Sequence, residues 1–248
     1  MSSSNKKLII VGASSGIGKE LAKRYVENGW LVGITGRRNE LLNEFQKKHP
    51  EQIFTECFDV RGNDNITHVQ SLINKLEGLD LLIYNSGYGD PSETLEWELD
   101  KTTYETNVKG FIEIVHFAFN YFVRQGHGHI AATSSLASIR GSSWAPAYSA
   151  SKAFMSVYME GLHMKAKKIA RKSNTPVDIF ITDIQPGFVN TKLAKGNGQF
   201  WVAPVEKVGR QIINAIDKKK WRVYVTRRWW LIAQLMKWAP GWLYHRVG

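Results

Sequence analysis

Short aliphatic runs along the chain alternate with longer segments in which apolar and polar residues are mixed. Runs such as KLIIVG and LDLLIYN are almost continuously apolar, which is typical of strands covered on both faces of a parallel sheet. Strands that alternate with helices form βαβ units, so the pattern predicts one doubly wound α/β domain with a parallel sheet. We predict strands at 8–11, 31–35, 53–58, 81–84, 129–133 and 177–184, and helices near 16–28, 38–48, 65–77, 101–124 and 150–172.

The last part of the chain differs from the rest in its tryptophans and its charge. Residues 218–248 contain five of the nine tryptophans and eight Lys/Arg residues, with no Asp or Glu. RVYV predicts a short final strand, and residues 227–238 predict a helix that is apolar nearly all round and must be buried in something. Its own domain, a sister subunit and an anionic membrane surface are the alternatives. We expect a domain at 1–226 and a C-terminal basic and aromatic extension at 227–248.

Composition narrows the class of protein. With 248 residues, 43% hydrophobic and 22% charged, the chain can bury a full core. The single cysteine, Cys57, excludes a disulfide framework and a Cys-rich zinc site, and we predict no metal. The first apolar run is too short for a signal peptide, and no window is apolar enough to span a bilayer. We therefore expect a cytoplasmic protein, with peripheral contact at the inner face of the membrane as the alternative.

The net charge is +11, and residues 218–248 supply +8 of it. Charge confined to one end indicates a property of the tail, so we expect no nucleic-acid partner.

The segment VGASSGIG follows the first predicted strand and opens the first predicted helix. Backbone amides of such a loop, together with the helix N-terminus, can bind a pyrophosphate, and glycines let the ligand approach closely. The spacing is G-x-x-x-G-x-G, which differs from the G-x-G-x-x-G of ordinary dinucleotide folds. The loop predicts a Rossmann-like, dinucleotide-binding domain whose cofactor contacts are Gly12, Ser14, Ser15, Gly16, Ile17 and Gly18.

The end of the second predicted strand bears on the choice of cofactor. A site selective for NAD usually has a carboxylate there, which accepts hydrogen bonds from the adenosine ribose. Here Gly36 is followed by Arg37 and Arg38. Guanidinium groups pair well with phosphate, so we interpret the two arginines as a site for the 2′-phosphate of NADP(H). The alternative interpretation is two solvated arginines at the start of a helix.

Residues 148–152, YSASK, place a tyrosine and a lysine one helical turn apart. With other short motifs they make the chain resemble the short-chain dehydrogenase/reductase family in its single-domain form. The matching motifs occur in the family's order: GASSGIG at 12–18, DV at 59–60, NSG at 85–87, Asn107, SS at 134–135, YSASK at 148–152 and PGFVNT at 186–191.

The resemblance implies a catalytic group of Asn107, Ser135, Tyr148 and Lys152. Tyr148 would be the general acid/base, with Lys152 favouring its ionised form and holding the nicotinamide ribose. Ser135 would hydrogen-bond the substrate oxygen, with Ser134 as the less favoured choice, and Asn107 would extend a proton relay through water to Lys152. Further cofactor contacts implied by the resemblance are Asp59 and Val60 at the adenine, Asn85, Ser86 and Gly87 beside the nicotinamide ribose, and Pro186, Gly187, Val189 and Thr191 at the carboxamide.

Substrate contacts are expected from loops beyond the carboxyl ends of the strands. The segment at about 190–204 contains glycines and two adjacent aromatic residues, so it could act as a lid over an apolar ligand. The candidates are Tyr88, Leu136, Trp144, Phe200 and Trp201.

Together these features predict an NADPH-dependent oxidoreductase that reduces an apolar ketone or aldehyde to an alcohol, reversibly. A reductase of 3-oxoacyl or other lipid ketones, docked on a membrane by the tail, is one alternative, and a catalytically silent NADP-binding regulator is another. The expected partners are the small-molecule substrate and further copies of the chain, in a homodimer or homotetramer.

Overall fold

The computed structural model describes residues 5–91, 94–191, 193 and 199–246. The strands are β1 (Lys7–Val11), β2 (Leu31–Gly36), β3 (Ile53–Cys57), β4 (Leu81–Tyr84), β5 (His127–Thr133), β6 (Asp178–Pro186) and β7 (Arg222–Val225). The helices are α1 (Gly16–Glu27), α2 (Asn39–Lys48), α3 (Asn65–Leu76), α4 (Trp97–Tyr104), α5 (Gly110–Gln125), α6 (Pro146–Lys172), α7 (Val205–Asp217), α8 (Trp229–Trp238) and α9 (Gly241–Tyr244).

The seven strands form one parallel sheet in the order β3-β2-β1-β4-β5-β6-β7. Alternate side chains of a strand point to opposite faces, and β1 shows the consequence. Ile9 and Val11 pack with α3, α5 and α6 on one face, while Leu8 and Ile10 pack with α1, α2 and α7 on the other. The doubly wound Rossmann-like fold that the sequence predicts is confirmed, with helices on both faces of the sheet.

The strand order reverses direction between β1 and β4, which lie side by side with Val11 opposite Tyr84. Ligands of doubly wound sheets bind in the crevice that opens at such a switch point, beyond the carboxyl ends of the strands. The glycine loop after β1 and the segment after β4 therefore meet at this crevice. Asn85 N donates to Val11 O (2.8 Å) and ties the two segments together.

The predicted strands are all present, with ends shifted by one or two residues. The helices differ more. The helix predicted at 101–124 spans Trp97 to Gln125 and contains a π-helical turn at Glu105–Lys109. The helix predicted at 150–172 begins four residues earlier, at Pro146, because proline is favoured in a first turn where its missing N–H is not needed. Helix α7 has no predicted counterpart, although its buried Val208, Ile212 and Ile216 share one face.

The C-terminal strand and helix occur at the predicted places, β7 at Arg222–Val225 and α8 at Trp229–Trp238. One face of α8 packs on the domain through Trp229 and Ala233, while its opposite face is exposed within the described part of the chain. Among the described residues, no helix is both long and apolar enough to cross a membrane.

Candidate active site

The glycine loop packs tightly against the segment that follows β4. Gly12 has a φ of +88°, a conformation that side chains disfavour, and a Cβ there would lie 2.6 Å from Ser86 N. A Cβ on Gly18 would lie 2.1 Å from Gly12 O and 2.8 Å from Asn85 Nδ2. Only glycine fits at these two positions, because the loop and its neighbour touch through their backbones.

Helix α1 begins at Gly16, and within the described residues no side chain caps its N-terminus. First-turn N–H groups have no partner inside a helix, so an uncapped N-terminus presents donors and a positive dipole end to an anion. Thr191 lies beside this N-terminus, since its Cγ2 would be 3.3 Å from a Cβ on Gly16. These features fit a dinucleotide pyrophosphate, with Ser14, Ser15, Ile17 and Thr191 around it.

The end of β2 presents two arginines in different arrangements. Arg38 Nη2 donates to Ser14 Oγ and to Ser15 Oγ, each at 2.7 Å, so its guanidinium lies on the glycine loop. Arg37 Nη1 lies 3.6 Å from Asp59 Oδ2 and is exposed. The predicted cofactor contacts that follow β1 and those that follow β2 are therefore neighbours at one edge of the crevice.

Asp59 also pairs with Arg61, whose Nη2 lies 2.7 Å from Asp59 Oδ2. Burial by itself would raise the pKa of Asp59, but hydrogen bonds from Arg61 and the charges of Arg61 and Arg37 lower that pKa overall. The carboxylate is thus neutralised by two cations. The side chain of Val60 packs in the core and its carbonyl accepts from Asn65 Nδ2 (2.8 Å), so its side chain is turned away from the crevice.

Asn85 joins three strands at the centre of the crevice. Its Nδ2 donates to Gly12 O (3.0 Å), and its Oδ1 accepts from Thr133 Oγ1 (3.0 Å) at the end of β5. A Cβ on Gly87 would lie 3.4 Å from Lys152 Nζ, so this glycine adjoins the candidate catalytic lysine. The structure therefore places NSG at the junction of the glycine loop and the catalytic residues.

The PGFVNT segment leaves the end of β6 on the far side of the crevice. Pro186 pairs with Val225 of β7, and Val189 is buried in a bridge to Ala203. A Cβ on Gly187 would lie 2.1 Å from Trp229 Cε2, so the first turn of α8 covers this glycine. Of the four predicted contacts in this segment, Thr191 is the one shown beside the glycine loop.

The candidate catalytic residues converge from β5 and α6. Tyr148 and Lys152 lie one turn apart on α6, with Lys152 Nζ 5.7 Å from the centre of the Tyr148 ring. The Ser135 side chain faces the Tyr148 hydroxyl and acts to lower its pKa. A Cβ on Gly89 would lie 2.1 Å from Tyr148 Cδ2, so the loop after β4 packs on the tyrosine ring and fixes its position.

The two adjacent serines point to different partners. Ser135 Oγ accepts from Ala137 N (3.1 Å) and meets Tyr148, whereas Ser134 Oγ donates to Ile184 O (3.1 Å) and to the carboxylate of Asp183. This arrangement favours Ser135, which is the serine that the sequence analysis prefers.

Asn107 lies in the π-helical turn and is fully buried. Its Nδ2 donates one hydrogen to Tyr88 O (2.7 Å) and the other to Ser151 Oγ (2.9 Å), and its Oδ1 accepts from Tyr88 N (2.9 Å). The amide thus holds the loop after β4 against α6. A relay from this side chain to Lys152 would have to use the remaining lone pair of Oδ1.

The ionisation of the tyrosine differs from the expectation that Lys152 favours phenolate. Burial raises the pKa of Tyr148, and only the Ser135 side chain lowers it. Lys152 Nζ instead donates to Thr133 O (2.8 Å) and contacts Met155 Sδ, and burial lowers the pKa of Lys152 to about 7, against the charge of Asp183. In this arrangement Tyr148 is a neutral phenol, which is the form that can donate a proton.

Asp183, which the motifs do not single out, lies at the centre of a buried polar network behind the serines. Its Oδ1 accepts from Ser134 Oγ, and its Oδ2 accepts from Ser156 Oγ (2.7 Å), Gln185 Nε2 (2.8 Å) and Arg222 Nε (3.0 Å). A carboxylate that is wholly buried must be paired and hydrogen-bonded to remain charged. An acidic residue inside the apolar run of β6 is the sequence signal that would have found this network.

The predicted substrate residues fall into two groups. Phe200 and Trp201 stack around Trp229, with ring centres 5.0 and 5.7 Å away, and Leu136 packs beneath Trp229. Trp144 is half exposed and Tyr88 hydrogen-bonds Asp90 Oδ2 (2.9 Å), so neither joins this cluster. Of the predicted lid at 190–204, residues 192 and 194–198 lie outside the described residues.

Comparison with known proteins places this geometry in a family. The sequence model of the short chain dehydrogenases matches residues 6–200. An uncharacterized oxidoreductase of Myxococcus xanthus (strain DK1622) is 31% identical over 200 residues, which cover 78% of this chain and 76% of that protein. The NADP-dependent 3-hydroxy acid dehydrogenase YdfG of Salmonella typhi is 30% identical over 186 residues, which cover 73% of this chain and 72% of that protein.

Among solved structures, a short-chain dehydrogenase from Streptomyces avermitilis has a TM-score of 0.78 at 21% identity, covering 94% of this chain and 92% of that one, which supports the fold. The chain belongs to the short-chain dehydrogenase/reductase family of oxidoreductases.

Proposed function

We propose that this oxidoreductase reduces an apolar ketone or aldehyde to the alcohol with NADPH, in a reversible reaction. The observation that supports this most is the arrangement at the crevice, where Tyr148 faces Ser135 and lies beside Lys152, and where Asn85 and Thr133 connect these residues to the glycine loop. NADPH, when bound, supplies the hydride that the carbonyl carbon receives.

The chain's own residues supply the proton and the orientation. Tyr148 donates its phenolic proton to the carbonyl oxygen as that oxygen gains charge, and Ser135 donates a hydrogen bond to the same oxygen. Lys152, in its protonated form, places a positive charge 5.7 Å from the tyrosine ring, which limits the cost of forming the phenolate when the proton leaves. Asn107 keeps the loop after β4 on the tyrosine ring and so positions Tyr148.

The preference for NADPH rests on Arg37 and Arg38. Arg38 lies on the serines of the glycine loop, and Gly36 stands where a carboxylate would otherwise accept bonds from the ribose. The nearby carboxylate, Asp59, is neutralised by two arginines and does not repel a phosphate. This edge of the crevice fits a 2′-phosphate and offers no carboxylate in a position to reject it.

The proposed substrate is apolar because the side of the crevice near Gly187 is aromatic. Phe188, Phe200, Trp201 and Trp229 have ring centres 5.0 to 5.9 Å apart. A lipid-type ketone, such as a 3-oxoacyl group, is the second candidate, favoured by the contact of this aromatic cluster with the C-terminal extension. The alternative is a regulator that binds NADP without turnover. It does not explain why Ser135, Tyr148 and Lys152 lie together at the crevice.

We propose that the enzyme works in the cytoplasm as a homodimer or homotetramer. Helix α6, which holds Tyr148 on its inner side, exposes Phe154, Val157 and Met164 on its outer side, and an exposed apolar face on a long helix suits association with a second copy.

The test has two parts. Thermal shift with NADPH and with NADH should show larger stabilisation by NADPH, and equal shifts or a preference for NADH would contradict the arginine argument. NADPH oxidation over aliphatic, aromatic and acyl-chain ketones and aldehydes should then show turnover with apolar members of the panel. Stabilisation by NADPH without oxidation of any member would favour the regulator.

A further inference from the structure

The C-terminal extension is held in a defined position on the domain over its described residues, 227–246. Trp229 and Ala233 pack with Leu136 and Phe188. Arg140 Nη1 donates to Ala239 O (3.3 Å), and Tyr244 Oη donates to Gly141 O (2.8 Å). Because both α8 and α9 are fixed, the extension presents a defined outer face.

That outer face is apolar and exposed within the described part of the chain. Six large apolar residues on this face are between 45% and 84% exposed: Trp230, Leu231, Leu235, Trp238, Trp242 and Leu243. Six exposed apolar side chains within fourteen residues are a concentration of the kind that marks an interaction surface, and we call them the patch.

Cations border the patch, and the extension that carries it contains no Asp or Glu. Arg227, Arg228, Lys237 and Arg246 lie exposed in or beside α8 and α9. The last acidic residue of the chain is Asp217. The surface therefore combines buried-type side chains with uniformly positive charge.

We propose that this face docks on an anionic lipid surface, with the tryptophan and leucine side chains at the level of the headgroups and the cations on the lipid phosphates. Tryptophan prefers the membrane interface, and basic residues strengthen binding to anionic lipid. A second copy of the chain fits less well, because pairing two such faces would bring two sets of cations together. Bases of a single-stranded nucleic acid could stack on the tryptophans, but such a partner does not explain the three exposed leucines.

Docking would place the substrate side of the crevice next to the lipid. Trp229 belongs to the docking helix and contacts both Phe200 and Trp201, and Arg228 Nη2 donates to Trp201 O (2.8 Å). An apolar substrate dissolved in the bilayer would then reach the crevice without crossing water. This consequence concerns substrate supply, whereas docking itself is measured without turnover.

Co-sedimentation with vesicles tests the proposal, using the intact chain and vesicles of phosphatidylcholine with or without phosphatidylglycerol. The protein should sediment with the anionic vesicles. Its affinity for them should fall about fivefold for each basic residue bordering the patch whose charge is removed. Leu235→Ser/Trp238→Ser should lose at least tenfold in binding. The matched control is Leu95→Ser/Trp97→Ser, which changes the same residue types at an equally exposed site on α4 and its approach, and should bind like the parent.

Four results would overturn the proposal. The parent chain could stay in solution with anionic vesicles, the tail variant could bind as well as the control, or the tail variant could dissociate an oligomer in sedimentation velocity while the parent ignores lipid. Binding of a single-stranded oligonucleotide in place of vesicles would overturn it as well. Both variants change exposed side chains, so thermal unfolding should match the parent, and reduction of a water-soluble carbonyl should be unchanged.

Discussion

The two sides of the crevice are built from different interactions. Around Tyr148 and Lys152, polar groups have named partners at 2.7 to 3.0 Å that link β1, β4, β5 and α6. Around Trp229, aromatic rings meet at 5.0 to 5.9 Å, and the Trp229 Nε1 has no hydrogen-bond partner among the described residues. Hydrogen bonds fix a geometry closely, while ring contacts tolerate change. The first side therefore suits one defined reaction and the second suits a choice of substrate.

The largest effect is expected on the polar side, from Lys152→Met. Removing the ammonium should lower kcat by about 10³-fold, within the range of a group that supports acid/base catalysis. Because burial already lowers the pKa of Lys152 to about 7, the variant should keep or raise its melting temperature. Steady-state kinetics and thermal unfolding measure both. Lys165→Met, at an exposed lysine of α6, is the control, and full activity of the Lys152 variant would contradict the assignment.

Asp183→Asn tests the network behind the serines. The change removes the buried carboxylate partner of Arg222 and leaves it only the half-exposed Glu160, 3.4 Å away, and breaking a buried pair costs about 3–5 kcal/mol. The free energy of unfolding, measured with urea, should fall accordingly, and kcat should fall as Ser134 and its neighbour Ser135 lose their support.

The double variant Asp183→Asn/Arg222→Gln should recover part of that stability, because the buried guanidinium is removed together with its buried carboxylate and the charge left behind, Glu160, is half exposed. If the single variant unfolds like the parent, Asp183 is not the structural centre that its contacts indicate.

Arg38→Ala addresses the cofactor edge of the same side. A hydrogen bond to a charged group contributes about 1.5–3 kcal/mol, so the Kd for NADPH should rise about tenfold or more while that for NADH stays the same. Titration with each cofactor gives both constants. Arg171→Ala, at an exposed arginine near the end of α6, serves as the control. An equal loss for NADH would show that Arg38 only supports the loop.

The smallest effect is expected on the aromatic side, from Trp201→Ala. An aromatic contact is worth about 0.5–1.5 kcal/mol, so KM for an apolar carbonyl should rise about threefold to tenfold with kcat little changed. Trp97→Ala removes an exposed tryptophan elsewhere and should leave KM alone. A collapse of kcat in the Trp201 variant would erase the distinction between the two sides.

The sequence predicts the polar side well because its contacts are carried by short motifs on adjacent strand ends. Gly12, Gly18 and Asn85 meet wherever parallel strands bring their carboxyl ends together, and Tyr148 and Lys152 share a helix turn. It is the resemblance of these motifs, taken in order, to the short-chain dehydrogenases that singles these residues out in the sequence. The roles of Ser135 and Tyr148 remain predictions until activity is measured.

Contacts between distant segments are what the sequence leaves open. Asp183 and Arg222 belong to separate strands whose pairing depends on the whole sheet, and Trp229 covers Gly187 only because the tail folds back over β6. The π-helical turn around Asn107 interrupts a regular pattern that predicts one plain helix. Helix α7 could have been predicted from the sequence, since its apolar residues recur at a regular helical spacing.

The most direct test of the account compares the parent enzyme with Tyr148→Phe, using a ketone that the panel identifies as a substrate. The account predicts that Tyr148→Phe binds NADPH as tightly as the parent and loses about 10³-fold or more in kcat, since only the proton donor is gone. A variant that oxidises NADPH at the parent's rate would show that another group donates the proton, and the proposed mechanism would be wrong.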